Sequence, residues 1–135
     1  DVKVGGTGPG GLADIGGSPS SISLSLTLVA PDWVPVDEIR VVVNGQTAAT
    51  IANPKAAFTR STDDSRYYTG TISVPVPTGR DAWLVVEAGA PLSATGAYRQ
   101  GTPWNIVMKG IYPVAITNPI FMDLNGGGYA PPGLR

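Results

Sequence analysis

The segment Ser21–Val29, with the sequence S-I-S-L-S-L-T-L-V, decides the fold class. Isoleucine and leucine alternate with serine and threonine along it, so one face of the segment is apolar and the other carries hydroxyl groups. A period of two residues indicates a β-strand with one buried face. A strand of this kind is typical of an antiparallel sheet that has one face in water. The segment therefore predicts a mainly antiparallel β-protein.

A β-hairpin is predicted over residues 38–51. Its first strand alternates apolar residues, and Asn44 and Gly45 then supply the two positive φ angles that a type I′ turn requires. A ligand contact is an alternative role for Asn44. The turn requires this dipeptide in any case, so we interpret it as structural.

The remaining alternating runs predict a sandwich of about seven strands. Further strands are predicted at residues 68–76, 82–88, 114–118 and 120–123, with 105–109 as an additional short candidate. Short strands separated by frequent Gly and Pro favour an all-β, immunoglobulin-like β-sandwich, mostly antiparallel. We predict one domain over residues 1–135, with a glycine-rich lead-in at 1–19 and the sandwich at 20–135. The predicted core consists of Ile22, Leu24, Leu26, Leu28, Ile39, Val41, Val43, Ile72, Val74, Leu84, Val86 and Ile116.

The composition argues against several classes of function. The chain has 135 residues, no His, no Cys and a formal net charge of −1. Without His it lacks the commonest metal ligand and the usual general base, and without Cys it has no thiolate chemistry. Its scattered charges form no basic patch, and no apolar run approaches the ~20 residues that span a bilayer. We predict no nucleic-acid partner, no membrane partner and no enzyme within this chain.

A glycine pattern near the start of the sequence could indicate either a nucleotide site or a loop. Gly6, Gly8 and Gly11 match the G-x-G-x-x-G arrangement of dinucleotide sites. That arrangement binds a pyrophosphate only between a buried strand and a helix N-terminus. Pro9 lies inside the pattern and the following apolar run is too short for a helix, so we interpret it as a loop.

Three stretches of the chain resemble one known family. They are A-P-D-W-V-P-V-D-E-I-R-V-V-V-N-G at residues 30–45, T-G-R-D-A-W-L-V-V-E-A-G at 78–89 and A-I-T-N-P-I-F-M-D-L-N-G at 115–126. Together they are similar to the sandwich domain that follows the catalytic domain in PHP-type (polymerase and histidinol phosphatase) metal-dependent hydrolases of the CehA/McbA-like group.

The resemblance implies a non-catalytic accessory domain at the C-terminal end of a larger metal-dependent, phosphoesterase-like hydrolase. The His and Asp metal ligands of such an enzyme would all lie upstream of this chain. The partner implied is the upstream catalytic domain of the same parent chain or another subunit. The resemblance slightly favours a periplasmic or secreted location. The first residue is Asp1 rather than Met, which we take as an indication of a fragment of a longer protein.

The strongest ligand candidate is the glycine loop that follows the last predicted strand. Asp123, Asn125 and Gly128 match positions 1, 3 and 6 of a calcium-binding loop. The loop offers one carboxylate and one amide, whereas calcium takes about six to eight oxygen ligands, and Leu134 stands where a bidentate Glu is expected. We therefore predict a backbone turn, with calcium as the weak alternative and no other cofactor.

The candidate interface is the outer face of residues 82–88, where Trp83, Val85 and Glu87 share one parity. A solvated face is expected to be polar, so an apolar one predicts a cover. The alternatives are a neighbouring domain or subunit and the chain's own loop at residues 91–104. A second function class also remains open. Three Trp and five Tyr could form a sugar-stacking platform in a carbohydrate- or other ligand-binding module of a secreted protein.

Overall fold

The strands form two sheets that pack face to face. A computed structural model describes residues 1–133. Its elements are β1 (Val2–Val4), β2 (Leu12–Asp14), β3 (Ser21–Val29), β4 (Glu38–Val43), β5 (Gln46–Ala52), α1 (Pro54–Ala57), β6 (Thr59–Arg60), β7 (Tyr67–Pro75), β8 (Ala82–Gly89), α2 (Pro103–Val107), β9 (Val114–Ile116) and β10 (Ile120–Asp123). The first sheet has the order β1-β3-β7-β6. The second has the order β2-β10-β8-β4-β5, with β9 also paired to β8.

Most strand pairs are antiparallel, which confirms the prediction of an all-β sandwich. The longest ladder joins β3 and β7, and its register runs from Ser21 opposite Pro75 to Val29 opposite Tyr67. Within the described residues the parallel pair is β2 with β10. This pair brings the beginning and the end of the chain together at one edge of the larger sheet.

One hydrophobic core lies between the sheets. Leu24 and Val74 come from the smaller sheet and Val41, Leu84 and Ile120 from the larger, and each is at most 1% exposed. These side chains are the inward-facing members of alternating strands, so the sequence period accounts for their burial. Most of the predicted core is confirmed, whereas Leu28 and Ile72 are only partly buried and pack against its margin.

The hairpin forms as predicted. Its two strands are β4 and β5, and the turn residues Asn44 and Gly45 have φ angles of 48° and 80°. A register shift between Val41 and Val42 marks a β-bulge in the ladder. The bulge leaves the inward valines of β4 buried while β5 forms the edge of the sheet.

The structure corrects the prediction of a lead-in at residues 1–19. This segment contributes β1 to one sheet and β2 to the other, and Val2, Val4 and Ala13 are buried in the core. Each of these strands spans three residues and lies beside a glycine-rich stretch. Runs this short show too little alternation to be recognised from sequence. Together with β6 they raise the number of strands from about seven to ten within the described residues.

Two further predictions are wrong. Residues 105–109 lie in and just after helix α2, which begins at Pro103 because proline fits the first turn of a helix. Ile116 is 64% exposed rather than buried, since it lies opposite Glu87 on the outer face of the larger sheet. Among residues 1–133, no helix is long and apolar enough to span a membrane.

The packing of β3 gives the first testable prediction. Leu24→Ala removes a fully buried side chain from the core and should lower the free energy of unfolding by about 2–5 kcal/mol. The control is Ser23→Ala on the exposed face of the same strand, which should change stability little. Chemical denaturation of both variants measures the difference. Equal stability of Leu24→Ala and the unchanged chain would show that the core is wrongly assigned.

Candidate functional site

The outer face of β8 is apolar, as its sequence predicts. Ala82, Leu84 and Val86 are buried between the sheets, whereas Trp83 and Val85 alternate with them and are half-buried on the opposite face. The strand therefore presents side chains to both sides of the larger sheet.

The apolar surface continues across neighbouring strands. Leu12 of β2, Phe121 of β10 and Trp83 lie side by side in register, and Val85 lies beside Val42 of β4. Residues in such positions are near enough for their side chains to touch. We call this surface the outer apolar face; its members are Leu12, Val42, Trp83, Val85, Val114, Ile116 and Phe121.

The members of this face differ in exposure. Leu12, Val114 and Ile116 are 54%, 67% and 64% exposed, and the other four are half-buried. Phe121 is covered in part by Tyr129, whose ring lies edge-on to it with the centroids 5.3 Å apart. The C-terminal segment thus shields one part of the face.

Glu87 lies on the same face of β8 as Trp83 and Val85, but it forms an ion pair. Its carboxylate accepts a hydrogen bond of 2.9 Å from Nε of Arg40, and Nη1 of Arg40 also donates to Glu38. Arg40 is only 6% exposed. Burial opposes its charge, but the bonds to the two glutamates raise the pKa of the Arg40 guanidinium. Glu87 is therefore engaged in an ion pair inside the chain, beside the outer apolar face.

The loop at residues 91–104 was one of the two covers that the sequence allowed for Trp83. In the structure this loop packs elsewhere. Its buried residues Tyr98 and Trp104 form a small separate cluster with Ala90, and Val34 packs against it. Ala90 follows the last residue of β8, whereas Trp83 lies near the first. The segment packs at the opposite end of the strand.

The predicted calcium loop is closed by its own side chains. Asp123 is 6% exposed, and its Oδ1 and Oδ2 accept hydrogen bonds from the backbone N–H groups of Gly126 and Gly128 at 2.6 and 2.7 Å. Oδ1 of Asn125 accepts another from Gly127 at 2.7 Å. These bonds satisfy backbone donors in a glycine-rich turn, which is a structural use of both side chains.

A calcium site would need more oxygen ligands than Asp123 and Asn125 provide. Among residues 1–133, no three His, Cys, Asp or Glu side chains are grouped so that they could hold a metal ion. Leu134, at the loop position where calcium sites carry a Glu, lies outside the described residues. Weak or absent calcium binding stays a prediction.

Asp81 is a residue that the sequence reasoning missed. It precedes β8, is 2% exposed, and accepts backbone hydrogen bonds from Leu124 at 2.9 Å and Ala130 at 2.6 Å. The bond from Ala130 is the main cause that lowers the pKa of the Asp81 carboxyl, against the opposing effect of burial. Asp81 thus ties the C-terminal segment to the start of the central strand. An aspartate directly before an apolar strand was the only available signal.

A groove lies on another part of the surface, beside the irregular segment between β3 and β4. It has a volume of about 690 Å³ and is lined by Trp33, Asp37, Lys55, Arg99 and Thr102, among others. Trp33 is 46% exposed, and its ring stacks on Trp104 with centroids 6.0 Å apart and planes 29° apart. The sequence indicated aromatic residues as a sugar platform but did not indicate which of them meet.

Two of the charged groups that line the groove, Asp37 and Arg99, are paired with each other. Both oxygens of Asp37 accept hydrogen bonds from Arg99, and Tyr98 donates to one of them. Burial opposes ionisation, but these bonds lower the pKa of Asp37. Burial and the contact with Asp37 together raise the pKa of Tyr98 to about 12. At neutral pH the groove is therefore lined by an ionised Asp37, which accepts a hydrogen bond from the neutral hydroxyl of the buried Tyr98.

Comparisons with protein-family models, curated proteins and solved structures found no match to this chain. The resemblance to the PHP-associated sandwich thus depends on the three sequence stretches alone. Any function must therefore be inferred from the chemistry of the two surfaces and the closed loop.

Asp81 gives a pH-dependent prediction. A carboxyl whose pKa is lower in the folded state stabilises the fold above its unfolded pKa, near pH 4, and this contribution is lost as the pH falls through the folded value. Asp81→Asn should therefore lower the melting temperature at pH 7, and the difference from the unchanged chain should shrink below about pH 4. Asp63→Asn, in an exposed loop, is the control. A difference that does not depend on pH would contradict the ionised role of Asp81.

The closed loop predicts that the chain binds calcium weakly or not at all. Because both oxygens of Asp123 already accept backbone hydrogen bonds, calorimetric titration with calcium chloride should show weak binding or none. Micromolar affinity that disappears in Asp123→Ala would show that the loop opens to coordinate the ion. Asp14→Ala, an exposed aspartate on the neighbouring strand, serves as the matched control.

Proposed function

We propose that this chain is a non-catalytic accessory β-sandwich that docks against a neighbouring domain of a larger protein through the outer apolar face. The observation that carries the proposal is the apolar row that runs across β2, β10 and β8 on the side of the sheet away from the core. An outward sheet face is expected to carry polar residues, as β3 does with its serines. A contiguous apolar patch on such a face is a typical interaction site.

The surroundings of the patch support this use. The ion cluster of Glu38, Arg40 and Glu87 lies on the same face next to Val85 and Val42. An apolar centre beside charged residues matches the organisation of protein interfaces, where charges are depleted at the core and concentrated at the rim. Exposed Ile116 and Val114 extend the apolar area along β9.

A non-catalytic role is supported by the residue types of the chain and by the bonds that its acidic side chains form. It has no His and no Cys. Within residues 1–133, Asp81 and Asp123 accept backbone hydrogen bonds, and Asp32, Asp37, Glu38, Asp64 and Glu87 bind arginines. Because the oxygens of these acids are already engaged, they are less available to act as general acids or nucleophiles.

The identity of the parent protein is proposed from the resemblance. A PHP-type, phosphoesterase-like hydrolase would supply the catalytic domain and its metals, and an immunoglobulin-like arrangement of the strands and a periplasmic or secreted location would follow from the same family. In this proposal the occupant of the outer apolar face is the catalytic domain of that parent chain.

The test replaces the exposed ends of the face by charges. Leu12→Lys with Ile116→Lys should leave the melting temperature of the isolated chain nearly unchanged, since both side chains are mostly in solvent. In the full-length parent protein the same pair should break the contact between domains, seen as a larger radius of gyration in small-angle X-ray scattering. Val29→Lys, which is 51% exposed on the other sheet, is the matched control.

Two outcomes would overturn the docking proposal. One is an unchanged scattering profile of the parent protein carrying both lysines. The other is a dimer of the isolated chain that dissociates on the same substitution in light-scattering measurements, because a second copy would then occupy the face.

A further inference from the structure

We propose that the groove beside Trp33 is a binding site for a short neutral oligosaccharide. This inference concerns a different surface from the docking face and stands independently of it. The groove volume of about 690 Å³ falls within the roughly 300–1,000 Å³ typical of small-molecule sites. Its lining combines an exposed tryptophan with carboxylate, guanidinium, ammonium and hydroxyl groups.

Trp33 provides an aromatic platform on which a sugar ring can stack. Trp33 lines the groove with 46% of its surface exposed, and the ring is supported by stacking on Trp104. Trp104 is fixed in turn, since it is 7% exposed and its indole Nε1 donates a 2.8 Å hydrogen bond to the carbonyl of Ile111. A flat aromatic ring held from behind offers its free surface to the C–H groups of a sugar ring.

Hydrogen bonds hold the backbone around that platform. Nζ of Lys55 donates to the carbonyls of Pro31 and Val34 at 2.6 and 2.7 Å, and so clamps the chain on both sides of Trp33. The backbone N–H of Asn53 donates to the carbonyl of Asp37 at 2.8 Å. Groups held in this way lose little freedom when a ligand binds, which favours affinity.

The balanced charge of the lining favours a neutral ligand. Asp32 and Asp37 are balanced by Lys55 and Arg99, so the formal charge of the lining is zero. Asp37 binds Arg99, and Asp32 binds Arg60 at 2.8 and 2.9 Å. Because these formal charges cancel, the lining has no net charge that favours an ion of either sign. A neutral ligand rich in hydroxyl groups can hydrogen-bond to the exposed edges of these pairs.

The polar groups of the groove are accessible to a ligand. The side chains of Asp32 and Arg99 are 72% and 46% exposed even though both are ion-paired. Their remaining donors and acceptors face solvent and can exchange water for sugar hydroxyls. The geometry therefore joins an apolar stacking surface to nearby hydrogen-bonding groups, which is the combination that a pyranose ring requires.

The experiment is an NMR titration of the isotopically labelled chain with maltotriose, cellotriose and mannotriose, with glucose 6-phosphate as the charged comparison. At least one neutral trisaccharide should shift the Trp33 indole N–H resonance, and glucose 6-phosphate should bind less tightly than that sugar. Trp33→Ala should weaken binding by about tenfold or more, and Trp33→Tyr, which keeps a flat ring, should retain most of it. Leu92→Ala, which removes a side chain that is 78% exposed, is the control and should bind normally.

Melting temperatures of all variants separate loss of binding from loss of structure. Trp33→Ala could unfold the chain because Trp104 loses its stacking partner. In that case, sugar binding by Trp33→Tyr and the resonance shifts of the unchanged chain still test whether the groove binds a sugar. The proposal is overturned if none of the three trisaccharides shifts the Trp33 resonance at millimolar concentration. Binding that is equal in Trp33→Ala, or stronger for glucose 6-phosphate, would also overturn it.

Discussion

The pairing of β8 along both of its edges is the constraint on which the larger sheet depends. One edge bonds β4 and the other bonds β9 and then β10, so three strands are positioned by one. Gly89 permits this arrangement at the end of the strand. Its φ of 146° favours glycine, and a Cβ there would lie 2.0 Å from the carbonyl oxygen of Pro113. Because Leu84 and Val86 fill the core, Trp83 and Val85 must face outward.

Everything that we assign to function follows from how the remaining chain is arranged around this strand. Asp81, directly before β8, holds the C-terminal segment in place and so brings Tyr129 against Phe121 on one part of the outer apolar face. The segment that follows the C-terminal end of β8 contains Trp104, and Trp104 supports Trp33 at the groove. The docking face and the proposed sugar site are thus formed by different residues.

The sequence predicted the long elements and missed the short ones for a physical reason. Ser21–Val29 and the hairpin with Asn44 and Gly45 carry their signals locally, as side-chain alternation and positive φ angles. The strand β1 and the parallel pairing of β2 depend on contacts with distant segments, which three residues cannot encode alone. The same limit applies to the sites. The parity of Trp83 and Val85 was readable, whereas the stacking of Trp33 on Trp104, residues far apart in sequence, requires the folded chain.

Hydroxyl-radical footprinting with mass spectrometry tests the central claim most directly, because it reports the solvent accessibility of individual side chains. The isolated chain and the full-length parent protein are compared under the same dose. The account predicts that oxidation of Trp83 and Phe121 falls in the parent protein, since the docked domain covers them, while Trp33 stays reactive at its open groove. Equal oxidation of Trp83 and Phe121 in both samples would contradict it.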